Sequence, residues 1–418
     1  MNPLVCRASM ALVLMLAIVC GGCASLPEVA ASAPGPQSPL IPGNKVTLLF
    51  DGPQTMAAME AAIQTARISI HLETYIFDQG PMGLHFADLL MQRQRAGVKT
   101  RIIYDSVGTL STPDAFFEKL RDAGIELLAF NPVNPLKLQG AWLPNQRDHR
   151  KILVVDGRVA FTGGVNISEA YSASSVFRSM GRASRLIGWR DTHLQLEGPA
   201  VAAVQDVFVR TWNAHAQAPA AQPADDEATL RPPLVAGHQT VRVVASEPGS
   251  PPEVYATYIE AIRAARKSIH ITCAYFVPND GMRKALLDAA RRGVDVKIIV
   301  PGVPESGMVF HASHAFYEDM LQGGLRIFEM RQAVLHAKTA VIDGHWSTVG
   351  STNLDTRSFL HNSEINVIVL DPAFGHAMEA AFAEDLSDSD EVHLAQWRQR
   401  PLWDRFKEWT FQLFAYWL

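Results

Sequence analysis

The 418-residue chain carries one polar pattern twice: a histidine, a lysine two residues later and an aspartate five residues after the lysine. The members, in chain order, are His149, Lys151, Asp156, His336, Lys338 and Asp343. Side chains two residues apart on a strand point to the same face, so each histidine shares a face with its lysine. The apolar runs 152–155 and 339–342 then predict buried strands, each with its aspartate at the far end.

Two imidazoles and two ammonium groups around one pocket would suit a phosphodiester. One neutral histidine can attack phosphorus, while the other, protonated, donates a proton to the departing alcohol. The lysines can stabilise charge on the non-bridging oxygens, so this chemistry requires no metal ion and no other cofactor. The spacing alone leaves open which histidine is the nucleophile.

A short polar loop follows each motif at the same distance from its histidine. It comprises residues 163–166 in the first half and 350–353 in the second. Its amide and hydroxyl groups predict contacts with the phosphate. The predicted phosphate-binding residues are Lys151, Asn166, Lys338, Ser351 and Asn353. Two matched copies with matched loops are improbable as coincidence.

The motifs belong to a larger internal repeat. Residues 69–71 and 268–270 have the same sequence, and each opens an apolar strand after a helical stretch. A glycine then precedes a second strand in each half, at Gly97 and Gly293. Strands alternating with helices predict mixed sheets with helices on both faces. We therefore expect an α/β protein of two duplicated α/β/α sandwich units, packed about a pseudo-twofold axis.

Composition predicts the boundaries of these units. Residues 24–43 are rich in Ala, Pro and Ser and predict a flexible tether, and 217–234 predict a linker of the same kind. The units then span 44–216 and 235–385, with a C-terminal segment at 386–418. Hydrophobic residues make up 48% of the chain and the net charge is −5, which fits a globular protein and disfavours nucleic acid as a partner.

The N-terminal residues 1–23 resemble a bacterial lipoprotein signal. Arg7 precedes the apolar run 10–20, which is too short to cross a bilayer comfortably, and small residues surround Cys23. The resemblance implies that Cys23 is acylated and anchors an exported protein to a membrane on the periplasmic side. An ordinary export signal or an uncleaved anchor is the alternative. Cys273 lies in an apolar strand and is predicted to be a core residue.

The two motifs resemble those of the phospholipase D superfamily over about residues 45–371. The closer match is to its bacterial cardiolipin synthase-like branch, at 147–151, 189–191, 196–199, 275–278, 350–359 and 362–366. The resemblance implies that Asp191 and Glu364 hydrogen-bond the catalytic histidines, although Asp191 could instead pair with Arg190. It also implies that His149 is the nucleophile and His336 the acid and base.

This resemblance implies phosphatidyl transfer between phospholipids through a covalent phosphohistidine, with phosphatidylglycerol among the substrates. Hydrolysis by the same residues is the alternative, on phospholipid ahead of nucleic acid. A non-catalytic membrane scaffold is a third hypothesis, which two complete motifs argue against. The oligomeric state stays open.

The C-terminal segment has an apolar stripe at helical spacing, formed by Leu402, Phe406, Trp409, Leu413 and Trp417. Such a stripe is typical of a helix that lies in a membrane interface. It is also typical of a helix that docks on the protein's own core, and the sequence does not choose between the two.

Overall fold

The computed structural model describes residues 37–133, 143, 145–172, 188–215, 234–303 and 306–415. The predicted signal with Cys23, the tether up to residue 36 and the linker at 217–233 lie outside these residues. The first strand begins at Ile41, inside the stretch predicted as tether. Among the described residues, no helix is both long and apolar enough to cross a bilayer.

The strands are β1 (Ile41–Leu49), β2 (Ser69–Thr74), β3 (Lys99–Asp105), β4 (Glu126–Phe130), β5 (Arg147–Asp148), β6 (Ile152–Val155), β7 (Val159–Gly163), β8 (Trp189–Arg190), β9 (His193–Glu197), β10 (Gln239–Ser246), β11 (Ser268–Cys273), β12 (Phe276–Val277), β13 (Asp295–Pro301), β14 (Arg326–Met330), β15 (Val334–Leu335), β16 (Lys338–Ile342), β17 (Trp346–Gly350), β18 (Leu354–Asp355), β19 (Asn362–Leu370) and β20 (Ser389–Glu391). The α-helices are α1 (Gly52–Thr65), α2 (Pro81–Arg95), α3 (Asp114–Asp122), α4 (Val201–His215), α5 (Glu253–Ala264), α6 (Asp280–Arg291), α7 (Gly307–His314), α8 (Tyr317–Gln322), α9 (Thr356–Leu360), α10 (Pro372–Ser387), α11 (Leu394–Trp397) and α12 (Leu402–Gln412).

The sheet confirms the duplication. In the first unit the strand order is β1-β9-β7-β6-β2-β3-β4, and in the second it is β10-β19-β17-β16-β11-β13-β14. In both units the last three strands are parallel to one another and the others antiparallel, so each sheet is mixed. The equivalent strands β1 and β10 pair antiparallel and join the two units into one continuous sheet. At its second-unit edge, β20 of the C-terminal segment adds to β14.

Helices cover both faces of this sheet, as predicted. Alternate residues of β6 enter different cores, because successive side chains on a strand point to opposite faces. Leu153 and Val155 pack with helices α1 to α3, whereas Ile152 and Val154 pack with α4. Val341 of β16 lies in the same cluster as Val154, so the units share a core as well as a sheet.

The strands that carry the motifs are β6 and β16. Their helical neighbours are fixed by side-chain caps, such as Asp51, which accepts from the Gln54 amide at 3.1 Å before α1. Asp371 caps α10 in the same way, accepting from Phe374 at 2.7 Å. Proline follows within two residues of each cap, where its missing N–H costs nothing.

The aspartates of the two motifs lie at the far ends of their strands, away from the histidines, as the spacing predicts. That Asp156 and Asp343 also belong to the catalytic residues stays a prediction. The Asp156 carboxylate accepts hydrogen bonds of 2.7 to 3.0 Å from the backbone amides of residues 67–69. Asp343 accepts the same three bonds, over the same range of distance, from the amides of 266–268. The physical reason is the straight strand between histidine and aspartate, which carries the carboxylate to its opposite end. There it anchors the start of β2 or β11.

We expect Asp343→Ala to lower the free energy of unfolding by about 1–3 kcal/mol, because three amides lose their acceptor. The residue also has φ +53°, a conformation that asparagine tolerates far better than alanine. Asp343→Asn is therefore the matched control, with a smaller loss. Thermal unfolding and activity per folded molecule are the measurements. An Asp343→Asn protein with an unchanged melting temperature but no activity would contradict the anchoring role and restore the catalytic one.

Candidate active site

Each catalytic histidine is placed by a two-residue strand that pairs with the other unit. Strand β5, directly before His149, runs parallel to the start of β19. Strand β15, directly before His336, runs parallel to β8. The pairing continues into the histidines themselves: the His149 amide donates to Ser363 O at 3.0 Å, and the His336 amide donates to Arg190 O at 2.8 Å. Both motifs are therefore held at the join of the units.

Each histidine contacts a carboxylate that belongs to the other unit. His149 Nδ1 lies 3.1 Å from Glu364 Oε1, and His336 Nδ1 lies 2.7 Å from Asp191 Oδ2. The two carboxylates are fully buried, and the two ring centroids are 6.5 Å apart. The predicted acidic partners are thus brought to the histidines, each one to the histidine of the other unit.

The tautomer of His149 follows from its partners. Besides Glu364, its Nδ1 lies 3.1 Å from the backbone oxygen of Ser351. A carbonyl oxygen and a carboxylate can only accept, so Nδ1 carries the hydrogen and donates it. The lone pair is then on Nε2, which is the nitrogen that can attack phosphorus.

The two lysines approach the backbone of their own histidines. Lys151 Nζ donates to His149 O at 2.6 Å, and Lys338 Nζ donates to His336 O. Both side chains are almost fully buried. An ammonium has three N–H donors, so a bond to the backbone oxygen of the histidine is compatible with contacts to phosphate oxygens.

Burial sets the protonation of this pocket. Burial, with repulsion from Lys151, lowers the pKa of His149 to about 4 despite the attraction of Glu364. Burial lowers the pKa of Lys151 to about 7. Burial also raises the pKa of the Asp191 carboxyl to about 6, against the attraction of Lys338. Burial favours a higher pKa for Glu364, but the combined attraction and hydrogen bonds from His149, Lys151 and Ser351 hold that pKa below its usual value. His149 is therefore a neutral imidazole at physiological pH.

The walls of the pocket differ between the two histidines. Tyr75 contacts the edge of His149, with ring centroids 5.1 Å apart. On the other side, Trp189 lies 4.8 Å from His336, and the Tyr171 hydroxyl lies 3.1 Å from His336 Nδ1. Neither Tyr75 nor Tyr171 was predicted as a site residue from the sequence. A signal for Tyr171 existed in the repeat. Tyr171 stands five residues after the loop asparagine of the first unit, and the equivalent position in the second unit is Ser358, so the two units differ there.

Of the predicted phosphate-binding residues other than the two lysines, Asn166 and Ser351 have side-chain partners in the protein. Asn166 donates to the Tyr171 hydroxyl at 3.1 Å and accepts from the Ile76 amide at 3.1 Å. The Ser351 hydroxyl donates to Glu364. Asn353 is buried in the equivalent loop, and its Oδ1 has no hydrogen-bond partner among the described residues. Phosphate contact by these three residues stays a prediction.

Two buried arginines brace the pocket. Arg190 pairs with Asp385 at 2.6 and 2.9 Å, so its partner is not the Asp191 carboxylate. Arg150, fully buried, donates to Thr211 of the first unit at 2.7 Å and to Ser246 O of the second unit at 3.0 Å. It also donates to Glu364 O at 3.2 Å, directly behind His149. Arg150 was not predicted as a site residue from the sequence.

The other repeated histidines are part of the packing. His71 stacks on Phe208, and His270 stacks on Phe382, each with centroids 4.6 Å apart. Cys273 is buried in β11, as expected for a core residue. The described ranges contain no group of three or more His, Cys, Asp or Glu residues arranged to hold a metal ion.

The chain matches the family model described as "Cardiolipin synthase, PLD-like domain" twice, at residues 59–175 and 258–386. It is 33% identical to a cardiolipin synthase of Alkalihalophilus pseudofirmus over 382 residues, covering 91% of this chain and 73% of that protein. It is also 33% identical to cardiolipin synthase 2 of Bacillus anthracis over 375 residues, covering 88% and 69%.

The fold is shared with solved structures of much lower sequence identity. The phosphatidylserine synthase of Haemophilus influenzae superposes with a TM-score of 0.68 at 14% identity, covering 91% of this chain and 98% of that one. Both motifs fall within the two matched regions of the family model. The chain therefore belongs to the cardiolipin synthase-like branch of the phospholipase D superfamily, a family of phospholipase D-type phosphatidyltransferases.

Proposed function

We propose that the chain transfers a phosphatidyl group from one phospholipid to the hydroxyl group of another, through a phosphohistidine on His149. Phosphatidylglycerol serves as donor and acceptor, which makes the products cardiolipin and glycerol. The observation that carries the proposal is the facing pair of imidazoles, 6.5 Å apart, each with Nδ1 on a buried carboxylate. The relatives named cardiolipin synthase support the choice of substrate.

In the first step, Nε2 of His149 attacks the phosphorus of the donor lipid. An N–P bond forms, and the bond from phosphorus to the oxygen of the headgroup glycerol breaks. His336, protonated, gives its proton to that oxygen, and Asp191 stabilises the imidazolium beforehand. Lys151 and Lys338 hold the negative charge that builds on the non-bridging oxygens.

In the second step, His336 acts as the base. It takes the proton from the acceptor's hydroxyl group as that oxygen attacks phosphorus, and the N–P bond to His149 breaks. Water in place of the alcohol would give phosphatidic acid. Transfer is favoured by the small exposure of the two rings, 12% for the His149 side chain and 6% for that of His336, between the aromatic walls of Tyr75 and Trp189.

We also propose that Cys23 anchors the protein to a membrane on the exported side. This proposal rests on the sequence of residues 1–23, since they lie outside the described part of the chain. A lipid anchor would hold the site close to its substrates.

The roles of the histidines can be separated with a donor lipid that carries p-nitrophenol, whose anion leaves without a proton. With phosphatidylglycerol as acceptor, the wild type is expected to release p-nitrophenol and form its cardiolipin product. His336→Ala should release one burst of p-nitrophenol and then stall, because the base for the second step is missing, with turnover reduced about 10²–10⁴-fold. His149→Ala should give no burst.

Two results would contradict this assignment. A burst from His149→Ala and none from His336→Ala would exchange the two roles. Phosphatidic acid as the wild type's main product, with acceptor lipid present, would make the protein a hydrolase. Acid-labile, alkali-stable phosphate on the stalled His336→Ala protein is the chemical signature of the intermediate.

The pKa of Lys151 predicts the alkaline side of the pH profile. Because that pKa is about 7, Lys151 loses its charge as the pH rises through 7, and kcat/KM should fall. On the acid side, His149 stays neutral down to its pKa of about 4, so it imposes no loss above that pH. Monomeric short-chain phosphatidylglycerol is the substrate for this measurement. In Lys151→Arg the alkaline fall should move upward, since guanidinium stays charged. If kcat/KM of Lys151→Arg falls at the same pH as that of the wild type, the fall is caused by another group, such as His336.

The anchor is testable by growing the producing bacterium with labelled palmitate. The wild-type protein should incorporate label, and Cys23→Ser should not, because no thiol remains at the predicted acylation site. Cys20→Ser is the matched control and should keep the label. Equal labelling of Cys23→Ser and wild type would exclude acylation at Cys23.

A further inference from the structure

The C-terminal helix α12 (Leu402–Gln412) faces its large apolar side chains outward. Leu402, Trp403, Phe406, Trp409 and Leu413 are 79%, 65%, 51%, 58% and 56% exposed. The sequence left open whether this stripe docks on the protein's own core. Trp417 lies outside the described residues. The other members of the stripe do not dock on the core; with Trp403 they form an apolar surface in which Trp403 stacks on Phe406 and Phe406 lies beside Trp409.

A buried ion pair fixes this orientation. Glu408, on the inner side of the helix, is only 3% exposed, and both its oxygens accept from Arg400 at 2.7 to 3.1 Å. The Arg400 guanidinium in turn lies over the Trp397 ring, 4.6 Å from its centroid. Rotating the apolar face inward would strip Glu408 of its buried partner, at a high cost. The helix is therefore held with Glu408 on its docked side and the apolar stripe facing out.

The same helix packs close to the second motif. Phe411 and Ala415 join the apolar cluster that includes Tyr275. The residue before Tyr275 donates its backbone N–H to Ala337 O at 3.0 Å, directly beside His336. The outward apolar face is thus attached, through a few packed residues, to the side of the pocket where the acid and base lies.

We propose that the outer face of α12 is a bilayer-binding surface, which seats the pocket at the membrane interface. The inference rests on the proposed function, because a site for phospholipids has to meet a bilayer. Two tryptophans and a phenylalanine with leucines at the ends are the side chains that suit the boundary between headgroups and acyl chains. Met308 of α7, the helix packed against α12, is 54% exposed and adds to the apolar surface.

Quenching of tryptophan fluorescence by lipids with brominated acyl chains tests the surface directly. Vesicles of phosphatidylglycerol and phosphatidylethanolamine are added to the full chain. The fluorescence of the wild type should be quenched. The double variant Trp403→Phe, Trp409→Phe should lose most of this quenching, although its helix stays apolar. Unchanged quenching in this double variant would overturn the proposal. The measurement needs no turnover, so it stands even if the proposed reaction fails.

Activity on two forms of one substrate supplies the second arm. The variant W403S/F406S/W409S should lose at least about tenfold in activity on phosphatidylglycerol vesicles and keep wild-type activity on monomeric short-chain phosphatidylglycerol. The matched control is I68S/L84S/L234S, which removes three equally apolar exposed residues elsewhere and should behave as wild type on both. Equal losses in the two variants on vesicles would overturn the proposal. So would a dimer in sedimentation that only the first variant abolishes, with vesicle activity unchanged, since the face would then bind a second copy.

Discussion

The site depends on two short parallel strand pairs that cross between the units, β5 with β19 and β8 with β15. Each pairing comprises only two residues of each strand, yet it fixes a motif histidine beside the carboxylate of the opposite unit. Glu364 therefore belongs to His149, and Asp191 to His336. Neither unit alone holds a histidine with its acidic partner. The continuous sheet through β1 and β10 and the shared apolar core keep these crossings in register.

Concentrating charge at this join is costly in folding free energy. Two lysines and two carboxylates are buried around the histidines, and each would be strongly destabilising without a partner. Attraction between opposite charges offsets part of this cost. Glu364 keeps a lowered pKa because His149 and Lys151 face it. Lys151, with less compensation, has its pKa lowered to about 7. Arg150 links both units behind the pocket, so the charged site and the interface between the units depend on each other.

Much of this could be predicted from sequence, because duplication makes each half a check on the other. The duplicated units with mixed sheets, the paired motifs and the acidic partners followed from spacing and resemblance. Spacing could not show that the carboxylates are exchanged, since that depends on contacts between residues 215 and 145 positions apart. Nor could it show that Asp156 and Asp343 bind the amides that open another strand. The direction of the C-terminal stripe was equally hidden, because it is decided by one ion pair, Arg400 with Glu408. Helical periodicity shows which side chains share one face of a helix, but it does not show what that face contacts.

The antiparallel join of β1 to β10 is the geometry by which two identical chains would pair at their sheet edges in a symmetric dimer. In such a dimer every substitution appears on both sides of the axis. Fusion of the halves into one polypeptide removes that obligation. Position 150 can be arginine where its counterpart is Ala337, and position 171 can be tyrosine where its counterpart is Ser358. Covalent linkage thus allows the two halves of the active centre to specialise, so that a nucleophile and a proton donor can evolve separately from what began as the same residue.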